Sequence, residues 1–136
     1  VVILPHNYLS EEKEEYHSTT LSFYKYSKEK VEIAYLTEPE LLVEQRSGEW
    51  FGPVLLFTSM ALSENPELVS ITCGVIANYV TDFFKGQKEP SVRLKVVHKE
   101  TNTSKLIEIS YEGGLEGLDK LEKTIFEVVS KSSVND

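Results

Sequence analysis

Three histidines, one cysteine and a surplus of carboxylates are the side chains in this sequence able to carry chemistry. His6, His17 and His98 stand far apart, and none has a partner at the spacing that sets two ligands on one face of a helix or strand. A zinc centre needs several such ligands converging, so no metal or other cofactor is expected. Cys73 lies among Ile71, Thr72, Gly74 and Val75, where burial raises a thiol pKa and disfavours the reactive thiolate. It reads as a small hydrophobe. No nucleophile elbow surrounds any serine. Gly113-Gly114-Leu115-Glu116-Gly117 lacks the Lys-Ser/Thr of a phosphate loop and carries an acid where phosphate would sit, so it reads as a turn.

Two groupings remain. Glu38, Glu40, Glu44 and Glu49 stand near Arg46 and Trp50 in one irregular region. If a ligand pocket exists, Glu44, Arg46, Glu49 and Trp50 are its expected lining, between a sheet and the following helices. Arg93, Lys95, Lys99 and Lys105 could form a basic patch on the outer face of a β-hairpin that grips an acidic partner, or pair across strands with Glu108 and Glu32. No aromatic residues interleave with it, so a base-stacking platform is not supported.

The charge balance restricts the partners. The 136 residues carry a formal net charge of -8. Residues 1–51 hold five basic and ten acidic residues, while residues 85–136 balance nine against nine. Such a field repels phosphate backbones, so nucleic acid is not an expected partner. A lone cysteine offers no disulfide framework and suits a reducing, cytoplasmic compartment.

The elements that would position these groups follow from hydrophobic spacing. The length suits one domain over residues 1–136. Val1–Leu4 reads as an edge strand bordered by Pro5. The charge run Ser10–Tyr16 gives residues 1–20 the character of a loosely attached arm. Leu21–Tyr26 and Val31–Leu36 read as a hairpin whose Ser27–Lys30 turn admits two registers. Leu41–Val43 is a third strand or a helical turn.

Pro53 suits the first turn of a helix, predicting a helix over Val54–Leu62. A second helix over 66–85 is apolar around most of its circumference, and Gly86 ends it. A membrane span needs about 20 mostly apolar residues. The charges at Glu64 and Glu67 interrupt this stretch, so no integral membrane span is expected.

Val92, Leu94 and Val96 alternate with Arg93, Lys95 and Val97. A turn at Thr101-Asn102 would set Leu94 opposite Ile109 and Lys95 opposite Glu108. Leu118, Leu121, Ile125, Val128 and Val129 repeat at amphipathic-helix spacing. The resulting fold class is α+β: a four-stranded, or with the short segments five- or six-stranded, mainly antiparallel sheet in ββ-α(α)-ββ-α order. Helices cover one face.

From Gly74-Val75-Ile76-Ala77-Asn78-Tyr79-Val80-Thr81-Asp82-Phe83-Phe84, through the charged hairpin, to Leu115–Val129, the chain resembles the effector-associated constant components of bacterial conflict systems. The likeness is one of element order and leaves residues 1–51 outside. It implies a non-enzymatic adaptor, and no motif carries a functional residue across.

The leading expectation is therefore a non-catalytic interaction domain that docks onto a protein partner or a second copy. The 66–85 helix has more apolar surface than one sheet face can cover. Gly74, Ala77, Tyr79 and Phe83 are its interface candidates. The alternatives are a small-ligand binder or enzyme with the pocket near Trp50, and peripheral attachment to a membrane through residues 52–84.

Overall fold

A computed structural model describes residues 1–43, 49–85, 91–99 and 106–135. The chain is α+β, with an open five-stranded sheet of mixed strand directions. Its elements in chain order are β1 (Val2–Leu4), β2 (Glu15–His17), α1 (Thr19–Ser27), β3 (Ala34–Tyr35), β4 (Leu41–Val43), β5 (Glu49–Thr58), α2 (Ser59–Glu64), α3 (Leu68–Phe83), β6 (Ser91–Lys99), β7 (Leu106–Gly113) and α4 (Leu118–Asn135). The main sheet runs β3-β1-β5-β6-β7, and β2 and β4 form a separate parallel pair.

The element order differs from the expected ββ-α-ββ-α for one reason. Two strand pairs of the main sheet, β1 with β3 and β5 with β6, are parallel. Parallel neighbours need a long crossover, usually helical. The helix α1 lies between β1 and β3 in the chain, and α2 and α3 lie between β5 and β6. The sheet is thus two crossover units joined by the antiparallel pairing of β1 with β5, plus the β6–β7 hairpin.

Leu21–Tyr26 is not a strand: it lies within α1. Its aromatic residues favour strands, but that preference is weak against packing. Thr20, Phe23 and Ser27, at helical spacing, are the residues α1 buries. Phe23 meets Trp50 of β5 at 5.7 Å and Tyr79 of α3 at 5.3 Å between ring centroids, and Trp50 meets Tyr79 at 5.5 Å. This triangle of rings fastens both crossover units together.

The larger correction concerns Val54–Leu62. Residues 54–58 belong to β5, and only Ser59–Glu64 is helical. β5 pairs with β1 on one edge and β6 on the other, and both faces are covered. Trp50, Leu55 and Phe57 join the main core, whereas Val54 joins Leu4 and Val97 on the opposite face. A strand buried on both faces has no polar alternation and reads like a buried helix. Pro53 is accommodated because the β5–β6 register shifts between Phe51 and Val54. Such a bulge is where a ladder can lack a donor. Thr58 caps helix α2, its side chain accepting a hydrogen bond from the Ala61 amide at 3.2 Å.

The 66–85 helix is present as α3, and Asn65 Oδ1 accepts from the Glu67 amide just before it, at 3.2 Å. The amphipathic C-terminal helix is present as α4, burying Leu118, Leu121 and Ile125. Gly86 and the Thr101-Asn102 turn lie outside the described residues. The β6–β7 ladder is displaced by two residues from the expected register, with Leu94 opposite Tyr111 and Lys95 opposite Ser110. An even shift keeps every side chain on its face. Lys95 still reaches Glu108 diagonally, at 3.8 Å.

Val1–Leu4 forms an inner strand, not an edge, since β1 lies between β3 and β5. Ile3, Tyr16 and Thr20 are buried, so the N-terminal segment is built into the fold apart from the exposed residues 9–14. Asn7 closes that excursion: its side chain donates to the Lys13 carbonyl at 2.9 Å and accepts from the Glu15 amide at 2.8 Å.

A Cβ at Gly52 would stand 2.8 Å from both Leu94 Cδ1 and the Trp50 ring. Gly52→Ala is expected to lower stability by about 1–3 kcal/mol, the usual cost of overfilling a packed core. Urea unfolding of the variant beside the parent checks this.

Candidate functional site

A concavity lies on the outer sheet face and reaches Leu94 and Tyr111 of the core side. There the Gly52-Pro53 bulge opens a cleft of about 510 Å³. Its lining comes from four places: His6, His17 of β2, Phe51, Gly52 and Val54 of β5, and the facing residues of β6 and β7. Arg93 and Lys95 project from alternate positions of β6, while Ser110 and Glu112 stand across from them on β7. Within a chain of net charge -8, this wall holds two cations and two imidazoles with one carboxylate, Glu112.

The two histidines meet although ten residues lie between them. His6 donates its backbone amide to the Glu15 carbonyl at 2.7 Å, which draws the start of the excursion against β2. Glu15 and His17 are two apart on a strand and so project to one side. His6 Nε2 then lies 2.7 Å from Glu15 Oε2, and the His6 and His17 ring centroids are 4.8 Å apart. His17 in turn meets the Phe51 ring at 5.2 Å, and the Arg93 guanidinium lies 5.2 Å from that ring's centre. Four planar groups form a column along the cleft.

Burial holds the His17 pKa below the ordinary histidine range, and the neighbouring His6 and Lys95 act in the same direction against the opposing Glu15. Its buried Nδ1 has no hydrogen-bond partner among the described residues. The cations are held at the surface. Arg93 Nη2 lies 3.1 Å from Glu112 Oε1, and the Lys95 pair with Glu108 is longer. Tyr8 donates its hydroxyl to Glu108, and burial together with that carboxylate pushes its pKa up.

None of the expected site residues is among the described residues that line this cleft. Trp50 has no exposed surface and joins the main core. Glu44 and Arg46 lie outside the described residues, and Glu49 is placed only through its backbone, which pairs with Ser91. Of the α3 candidates, Tyr79 is buried in the ring triangle and donates its hydroxyl to Ser22 Oγ at 3.0 Å. Ala77 is half-buried against the same core. Gly74 is exposed with no atom within 4 Å of where a Cβ would stand, and Phe83 is 36% exposed.

His98, the third histidine, is buried as the inward end of β6, with Nδ1 3.2 Å from the Phe57 carbonyl. Burial pushes the Cys73 thiol up to about 12. Among the described residues, no three His, Cys, Asp or Glu side chains are grouped to hold a metal, and no helix is long and apolar enough to cross a membrane.

No helical or strand spacing in the sequence joins His6 to His17. The readable signal was Glu15-Tyr16-His17: in a strand, the apolar centre points inward and the acid and imidazole point outward together. The basic outer-face patch was legible, and Arg93 and Lys95 are its members in the cleft. No family model, curated protein or solved structure matches the chain.

The lowered His17 pKa has a defined consequence for stability. Above the ordinary histidine value of about 6.5 the ring is neutral whether the chain is folded or unfolded. As pH falls below it, the unfolded chain binds a proton that the folded chain resists, so this group's contribution to stability falls. Urea midpoints followed from neutral to mildly acid pH are expected to drop less in His17→Phe than in the parent. An equal or steeper drop in the variant would contradict the assignment.

Proposed function

We propose that this chain is a non-catalytic binding domain that takes a small anion, a phosphate or carboxylate group, in the outer-face cleft. The observation that carries this reading is the concentration of Arg93, Lys95, His6 and His17 around one open volume in an otherwise acidic chain. Both cations are pre-positioned on alternate residues of a central strand. Their present partners are partly exposed carboxylates, and exposed ion pairs of this kind contribute only about 0–1 kcal/mol. A phosphate or carboxylate that Arg93 grips bidentately forms the stronger contact and displaces them.

Ser110 Oγ, also lining the cleft, donates to Glu108 at 3.4 Å. A binding role of this kind fits the adaptor role implied by the resemblance of the C-terminal elements.

The interface reading of α3 has less support. Tyr79 and most of the helix's apolar side chains are in the core. Ile71, Gly74 and Phe83 are exposed on its outer side together with the polar Ser70, Asn78, Thr81 and Asp82.

Titration of the labelled protein with inorganic phosphate, followed by two-dimensional amide NMR, tests the proposal. Shifts are expected around Phe51, Arg93, Lys95 and Glu112, saturating with one affinity. Lys95→Gln is expected to weaken that affinity about tenfold or more, equivalent to roughly 1.4 kcal/mol. The absence of localised shifts at tens of millimolar phosphate, or an unchanged affinity in a folded variant, would refute it.

A further inference from the structure

The two edges of the main sheet are unequal. On one side β3 is two residues long, and brevity protects it. On the other, β7 runs for eight residues, and among the described residues no strand pairs with its outer side. Long edge strands invite pairing unless a proline, a bulge or unpaired charge blocks them. β7 contains no proline and no lysine, and its ladder to β6 is unbroken. Its two acids are matched within the sheet, Glu112 by Arg93 and Glu108 by Lys95.

We propose that β7 pairs antiparallel with β7 of a second copy about a two-fold axis through Ile109, joining two five-stranded sheets into one. The register follows from the side chains. Ile107, Ile109 and Tyr111 face the helical side, where Ile109 and Tyr111 pack against the main core, and Leu106, Glu108, Ser110 and Glu112 face outward. An axis through Ile109 sets Ile109 against its copy and Ile107 against Tyr111, apolar with apolar. On the outer face it sets Glu108 against Ser110 and Leu106 against Glu112. An axis through Glu108 would set that acid against itself, and one through Ser110 would set Glu108 against Glu112. Like charges directly opposed destabilise a strand pair, so the Ile109 register is the long pairing free of them. It also carries Glu108 of the second copy to Ser110, at the rim of the cleft. The pairing is argued from the length and register of the β7 edge with both acids matched by Arg93 and Lys95, so it describes the protein with the cleft empty.

The test is a symmetric cross-link in a Cys73→Ser background, which removes the native thiol. Residues opposed across an antiparallel pair lie about 4.5–5.5 Å apart at Cα, within disulfide reach. Ile109→Cys is therefore expected to oxidise to a covalent dimer of twice the 15.5 kDa chain mass. In the same register two copies of residue 107 lie four residues apart along the strand, about 13 Å, so Ile107→Cys is expected to stay uncross-linked. Light scattering on the parent protein is expected to show the dimer at tens of micromolar. Added salt should strengthen it by screening the repulsion between two acidic chains. A parent that remains a single chain overturns the proposal. So does a parent dimer in which Ile109→Cys fails to cross-link, or in which Ile107→Cys cross-links as readily.

Discussion

The structure depends on a strand that must be buried on both faces and paired on both edges while carrying a proline. β5 meets that demand by slipping register at Gly52-Pro53. Before the slip, Trp50 points into the helical core and Phe51 to the opposite face; after it, Leu55 and Phe57 point inward and Val54 outward. Gly52 lies against the Trp50 ring and Leu94, where no Cβ fits. The bulge thus serves two ends. It keeps both crossover units in register across the sheet, and it opens the concavity into which Arg93, Lys95, His6 and His17 project.

What could be read from the sequence was local. α3 and α4 show helical spacing over many turns, and the β6–β7 hairpin alternates cleanly, so their faces were legible even where the register was not. The errors lie where tertiary packing outweighs local preference. Leu21–Tyr26 looks like a strand because it is aromatic, yet Phe23 is required at the Trp50–Tyr79 junction, and a helix delivers it there. Val54–Thr58 looks like part of an apolar helix because a central strand with a parallel neighbour on one edge has no solvent face to mark its period. The surplus apolar surface that suggested an α3 interface was counted against a four-stranded antiparallel sheet. Against the observed sheet and α1, most of that surface is inside.

The candidate site was illegible for a related reason. His6 and His17 converge through backbone contacts of an excursion closed by Asn7, not through any spacing on one element. The basic residues of β6 were legible as a patch, but their neighbours were not. Strand alternation delivered the cations, and the bulge and the N-terminal excursion turned a flat sheet face into a cleft. Arg93 and Lys95 thereby stand in that cleft beside Glu112 and Glu108, in partly exposed ion pairs of a weak kind.

The central claim is that residues 49–58 form one continuous bulged strand beside β6. Nuclear Overhauser contacts in the labelled protein test it most directly. Cross-strand contacts joining the neighbourhoods of Leu55 and Val96, and of Trp50 and Val92, are expected, with the Leu55 and Phe57 amides among the slowest to exchange with solvent. Sequential helical contacts running through Val54–Leu62, without cross-strand contacts to β6, would contradict the account at its foundation.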